Sequence, residues 1–244
     1  MIPLPTGLAE GPYDAAFLPR LQMSFRAAQE PVTEPVSKFG GQPVWLEEPA
    51  WPVHPQTGEP LVFIAQFRVP GDEVRLAYLF LHEEGVEMSG TDPEDGEAVV
   101  VVQPGGRMPA FAAIGPAGTR GRTLWRWGPG QEEVPVEWLV DLTPMPPDLD
   151  EAANQYAACS RYLRGEGPEA EVPEDDWPGD FVGGEALYPN DQAFGIAPPW
   201  QFLCQFEDRG EAEEDPFFLN FGYGTGFVFL SPDRREGRFL WDCS

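Results

Sequence analysis

One apolar ribbon is written twice in this chain, and that limits the folds open to it more than any other feature does. Pro60-Leu-Val-Phe-Ile-Ala-Gln-Phe67 returns 139 positions later as Pro199-Trp-Gln-Phe-Leu-Cys-Gln-Phe206. Pro60, Phe63, Gln66 and Phe67 fall on Pro199, Phe202, Gln205 and Phe206 without a gap. A glycine pair precedes each copy (Gly40-Gly41 and Gly183-Gly184), and an aromatic-aliphatic run follows each (Tyr78 to Leu81 and Phe227 to Leu230). Short apolar runs rich in β-branched and aromatic residues and bounded by turn residues read as buried strands. The expected fold is therefore α+β and predominantly β, with two similar β-rich halves arising from an internal duplication. We expect residues 1–244 to form a single compact domain. The pseudo-repeats cover about 36–142 and 180–244, joined by a helix at about 148–164.

Within that plan, Leu61–Val69 and Arg75–His82 read as partner strands across Pro70-Gly71-Asp72. Ala98–Val102, Val134–Leu142, Trp200–Phe206 and Gly237–Cys243 read as further strands. Phe217–Phe221 and Gly226–Leu230 suggest a hairpin around Gly222-Tyr-Gly-Thr-Gly226. Those glycines sit between strands rather than between a strand and a helix, so they fail the structural test of a nucleotide loop. Ala16 or Phe17, Leu21, Phe25 and Ala28 have near-helical spacing, which predicts an N-terminal helix from about Pro19 after a short turn. In Pro147–Arg164, Leu149, Ala153, Tyr156, Ser160 and Leu163 share a helical face. Asp148 or Asp150 can cap that helix and Gly165 can stop it. With 27 glycines and 29 prolines among 244 residues, other long helices are disfavoured.

Charge narrows the partners. Forty-one acidic residues against 15 basic ones give a net charge of −26, and Lys38 is the only lysine. Phosphate contacts need a basic stripe that is absent, so no nucleic-acid partner is expected. The one basic patch, Arg107, Arg120, Arg122 and Arg126 among Trp125 and Trp127, is expected to pair with the acidic excess, with an anion site as the alternative. The start of the chain lacks a basic segment followed by an apolar one, and no apolar run approaches the roughly 20 residues that cross a bilayer. No membrane association and a cytoplasmic location are expected. Three cysteines, Cys159, Cys204 and Cys243, without short spacing do not form a disulfide framework.

The chemistry inventory is thin. His54 and His82 are too few for a three-histidine zinc site, and no Cys-x-x-Cys, His-x-x-x-His or calcium-loop spacing occurs. No Gly-x-Ser-x-Gly elbow is present. No catalytic residue, metal site or cofactor is predicted. Gln66 and Gln205 each sit in an apolar strand, and a buried amide must find partners or cost about 1–3 kcal/mol. The preferred reading gives each a backbone loop, such as the one that carries the glycine pair. The alternative makes Trp45, Gln66, Trp200 and Gln205 the lining of a ligand cleft between the halves.

Ser37-Lys-Phe-Gly-Gly-Gln-Pro43, Trp51-Pro52, the two ribbons, Gly183-Gly184, Phe221-Gly-Tyr-Gly-Thr-Gly226 and Trp241-Asp-Cys243 together resemble the YwqG-like family of uncharacterised bacterial proteins. The likeness spans roughly residues 35–243. It departs at Glu185-Ala-Leu-Tyr-Pro-Asn190. The resemblance implies a compact β-rich α+β protein with an internal duplication, and an association with bacterial toxin systems. Without a catalytic motif, the expected function is a non-enzymatic soluble binding protein whose acidic surface meets a basic protein, with toxin neutralisation as the role the resemblance suggests. The competing expectation is a small-molecule or carbohydrate-binding module, or a hydrolase, that uses the cleft between halves.

Overall fold

A computed structural model describes residues 19–71, 73–82, 92–115, 118–163, 165–171, 177–188, 196, 199–210 and 215–243. The expected turn at 13–18, and the acid-bearing stretches 83–91, 172–176 and 211–214, lie outside the described residues.

The elements follow in chain order. The first six strands are β1 (Leu21–Ala27), β2 (Lys38–Gly40), β3 (Pro52–Val53), β4 (Val62–Arg68), β5 (Leu76–Leu81) and β6 (Ala98–Gln103). Next come β7 (Ala113–Ile114), β8 (Trp125–Trp127), β9 (Glu133–Pro135), β10 (Glu137–Pro144) and the helix α1 (Pro147–Leu163). The chain closes with β11 (Phe181–Val182), β12 (Gln201–Glu207), β13 (Gly224–Leu230) and β14 (Gly237–Cys243). Ten strands form one antiparallel sheet in the order β14-β13-β12-β11-β1-β10-β2-β4-β5-β6. The protein is strongly β-rich, and the sheet is nearly closed.

Closure follows from how the two edge strands meet. β6 packs against β14, and a Cβ added at Gly237 would lie 2.3 Å from Val100 Cγ1. Arg107 N–H donates to the Arg235 carbonyl at 2.6 Å. Arg75 reaches the Asp233 and Arg234 carbonyls at 3.3 and 2.8 Å. Arg238 binds Glu94 at 2.9 Å while lying over the Phe111 and Trp200 rings at 4.8 and 4.7 Å. Two edge strands that face each other are less open to extension by another chain than free ones.

The concave side is filled. Phe39 stacks on Phe217 at 4.9 Å and meets Phe206 edge-on at 5.2 Å, while Phe67 stacks on Phe206 at 5.8 Å. All four rings are buried. Each such side chain contributes about 1.5–3 kcal/mol on leaving water, so both ribbons stabilise one shared core. On the other side, Trp51, Phe63, Tyr78 and Phe80 form a cluster with loop residues, and Trp200, Phe227, Phe229 and Leu240 form another.

The two ribbons are paired in the same pattern. β4 is irregular between Phe63 and Ala65, and β12 between Phe202 and Cys204, at corresponding places in the run. Gln66 then faces Tyr78, and Gln205 faces Phe227. A bulge at this point redirects the alternation of side chains along a strand.

Several expectations need correction. The N-terminal helix is instead β1, paired with β10 from Leu21–Pro144 to Ala27–Trp138. Met23 is buried and Phe25 packs against the core, while Ser24 and Arg26 are exposed. A period of two fits these residues once a partner strand exists, and the near-helical spacing loses to it. Val134–Leu142 is not one strand. It divides at Val136, whose N–H turns to the Leu124 carbonyl at 3.1 Å. Phe217–Phe221 is not the hairpin partner of β13, which pairs with β12 and β14. Leu219 bridges to Arg209 alone, and Phe217, Leu219 and Phe221 enter the core. Only Phe221–Tyr223 forms the bend, closed by Asp208 Oδ2, which accepts from the Phe221 and Tyr223 N–H groups at 2.8 and 3.0 Å, and Gly224 already begins β13.

The helix α1 lies where its pattern placed it. Ala153 and Ala157 pack with Phe181 and Leu187, and Leu149 and Tyr156 flank them. Gly165, at φ +74°, ends the helix. Its N–H donates to the Tyr162 carbonyl and the Glu166 N–H to that of Arg161, both at 2.9 Å, which is the Schellman arrangement.

Candidate functional site

The repeated glutamines are clips. Gln66 Oε1 accepts from the Val44 N–H at 2.9 Å, and its Nε2 donates to the Val36 carbonyl at 2.8 Å. Gln205 Oε1 accepts from the Leu187 N–H at 3.0 Å, and its Nε2 donates to the Gly179 carbonyl at 3.1 Å. Each amide therefore holds both ends of a loop that contains one glycine pair. A second bond supports each clip. Ser37 Oγ accepts from the Arg68 N–H at 2.8 Å, and Asp180 Oδ1 accepts from the Glu207 N–H at 2.7 Å. Gln103 adds a third clip, accepting from Leu46 and Glu47 at 3.1 and 3.2 Å and donating to the Glu48 carbonyl at 2.9 Å.

Each glycine pair is a bed for one charged side chain, Glu137 from the start of β10 or Arg20 from just before β1. Gly41 (φ +65°) would carry a Cβ 2.1 Å from Glu137 Oε1, and Gly184 (φ +69°) one 2.6 Å from Arg20 Cγ. At the first bed Glu137 pairs with Lys38, the only lysine, whose side chain is fully buried and also donates to the Gln42 carbonyl at 2.7 Å. Burial pulls the Lys38 ammonium below its ordinary pKa, against the pull of Glu137. At the second bed Arg20 Nη1 donates to Asp150 Oδ1 at 2.9 Å and to Asn154 Oδ1 at 2.8 Å.

The second bed opens into a cleft of about 410 Å³ lined by Pro19, Arg20, Pro144, Met145, Asp150, Asn154, Gly184 and Glu185. It lies between the strand β10 end, the start of α1 and the loop after β11. Glu185 is also held by Arg161 at 2.5 Å.

None of Trp45, Gln66, Trp200 and Gln205 lines this cleft. Trp45 packs against Trp51, Tyr78 and Phe80, whereas buried Trp200 belongs to the cluster with Phe227 and Leu240. Both glutamines are fully buried, with each end of the amide bonded to backbone. The structure thus does not bring the four together, because the segments before β3 and before β12 carry the two tryptophans to separate clusters. The residues that sequence reasoning missed are Arg20, Asp150, Asn154 and Glu185. Arg20 carries no local signal beyond its place before an apolar run.

Cations are consumed internally. Ion pairs hold Arg20, Arg26, Lys38, Arg75 and Arg107. Others hold Arg122, Arg161, Arg209 and Arg238. Those are nine of the 15 basic residues. Within the sequence's basic patch, Arg107 binds Asp233 in bidentate fashion and Arg122 binds Glu133 at 2.6 Å, while resting over Trp125 at 4.9 Å.

Asp233 couples this network to pH. Burial pushes its carboxyl up, but bonds from Arg107 and Ser231 outweigh burial and hold it at about 2. A free aspartate titrates near ~3.9. The folded value is the lower one, so the stabilisation is complete above the free value and is lost as pH falls toward about 2. Asp180 works in the opposite direction, because burial raises its pKa despite the opposing charge of Arg209. The Asp233→Asn variant should melt below the parent at neutral pH, and the two curves should converge near pH ~2. A gap in melting temperature that stays constant on acidification would contradict this.

His54 and His82, 28 residues apart in sequence, meet at 4.7 Å between ring centroids with their planes tilted by 46°, and His82 lies 3.8 Å from Glu59. Among the described residues no group of three or more His, Cys, Asp or Glu is placed to hold a metal ion. The three cysteines form no disulfide. Among the described residues no helix is long and apolar enough to cross a membrane.

Compared with protein-family models, curated proteins and solved structures, the chain matches none.

Proposed function

We propose that this chain is a non-enzymatic binding protein that presents an acidic surface to a basic protein partner, with toxin neutralisation as its role. The carrying observation is the disposition of charge. Nine of the 15 basic residues are tied to carboxylates of this chain, and with 41 acidic residues in all the carboxylates remain in large excess, at a net charge of −26. A surface of one sign speeds encounter with the opposite sign and discourages other partners. We also propose that the chain is a YwqG-like protein and that its halves arose by duplication. The matched irregularities in β4 and β12 and the equivalent clips at Gln66 and Gln205 support the second idea. In this reading α1 joins the halves.

Salt tests the charge argument. The screening length falls from about 10 Å at 0.1 M salt to about 3 Å at 1 M. Affinity for a basic protein partner should drop roughly tenfold or more over that range, chiefly through slower association. Surface-resonance kinetics with a panel of strongly basic and near-neutral proteins would measure it. Binding that ignores salt, or that favours the neutral proteins, would overturn the proposal.

A further inference from the structure

We propose that the cleft at Arg20 is a binding site for a small zwitterion, a free α-amino acid with an apolar side chain. Its carboxylate would meet the Arg20 guanidinium, and its ammonium would meet Asp150 and Glu185. The proposal goes beyond recognition of a basic protein and does not depend on it.

The volume of about 410 Å³ falls within the range of about 300–1,000 Å³ typical of small-ligand sites. The Arg20 side chain is only 8% exposed. Nη1 is occupied by Asp150 and Asn154, and Nε is buried without a partner. Among the described residues no hydrogen bond reaches Nη2, so the guanidinium retains donor capacity at the cleft wall. A charged donor left unmet is costly, and a carboxylate oxygen is the acceptor that makes the strongest hydrogen bond to the remaining Nη2. Gly184 is what makes this arrangement possible, since any side chain there would strike Arg20.

Charge then selects the ligand class. A plain anion would enter against the net −26 and two carboxylates on the wall. A plain cation would face Arg20 itself. A molecule with both signs meets neither penalty. The Asp150 and Glu185 side chains are 45% and 28% exposed. An ionised carboxylate keeps lone pairs beyond one bond to arginine, so each can also accept from an ammonium. Pro19, Pro144 and Met145 supply an apolar wall for the side chain.

The test is calorimetric titration of the full chain with L-leucine, isocaproate (its carboxylate without the amine) and isoamylamine (its amine without the carboxylate). Leucine should bind saturably at one site, and each analogue should bind about tenfold more weakly or worse, as expected when a charged contact is lost. Arg20→Lys should weaken leucine binding by about tenfold or more. Because that variant can disturb the contact of Arg20 with Asp150 and Asn154 of α1, Glu185→Gln provides a second reading and should weaken leucine about tenfold. No saturable binding of leucine up to millimolar concentration would overturn the proposal. So would isocaproate or isoamylamine binding as tightly as leucine, or a folded Glu185→Gln variant with unchanged affinity. These outcomes are independent of the salt series with basic proteins.

Discussion

Replacing Lys38 with methionine is expected to lower the unfolding free energy by about 3–5 kcal/mol, the usual loss when one partner of a buried pair is removed. The Lys38 side chain is fully buried and Glu137 is 16% exposed, so the remaining carboxylate would have little water to turn to. Gly41 closes the space around it. The Val32 N–H at 3.3 Å is a poor substitute for an ammonium. The charge, more than the shape, carries the effect, because methionine keeps most of the volume. Lys38→Met combined with Glu137→Leu should therefore recover much of the loss, since replacing a whole buried pair is often nearly neutral. Urea melts of the parent, the single and the double variants measure both numbers. A single variant within 1 kcal/mol of the parent, on the scale of roughly 0–1 kcal/mol for a surface pair, would show that Lys38 is not a buried charge.

Gln66→Leu and Gln205→Leu should each cost about 2–6 kcal/mol, because each leaves one N–H and one carbonyl without a partner at about 1–3 kcal/mol apiece. The groups concerned are Val44 N–H with Val36 carbonyl, and Leu187 N–H with Gly179 carbonyl. Gln→Glu at either position keeps the acceptor but turns an oxygen toward a carbonyl, so it should also destabilise, and more so as the carboxyl ionises. Hydrogen exchange adds a local reading. The amides of Val44 in one variant and Leu187 in the other should lose protection before the sheet does. Equal protection in parent and variant would mean that the loops are held by packing alone. The same two variants separate structure from ligand binding, since a clip acts on stability whether or not any ligand is present.

The strands that were legible were those with dense local signals. β4, β5, β6, β12 and β14 announce themselves through apolar runs between turn residues, and α1 through its alanine face and Gly165. The glutamines were legible as polar residues in need of partners, and a backbone loop was the preferred partner. β1 was not legible. Its residues satisfy helical spacing about as well as alternation, and only the presence of β10 alongside decides between them. Phe217 and Phe221 were misplaced for the converse reason, because residues that look like a strand can serve the core from a loop.

The cleft shows where local pattern stops. Arg20, Asp150 and Glu185 are far apart in the chain, and nothing in their spacing joins them. Composition and hydrophobic period are properties of short windows, and they were enough to specify strands, the helix, the repeated ribbon and the sign of the surface charge. Which strand lies beside which, which side of a strand meets the core, and which distant charges share a glycine bed depend on contacts between remote windows. Those contacts arise only when the chain closes its sheet, so the near-closure, the Lys38–Glu137 pair and the Arg20 cleft belong to the tertiary structure alone.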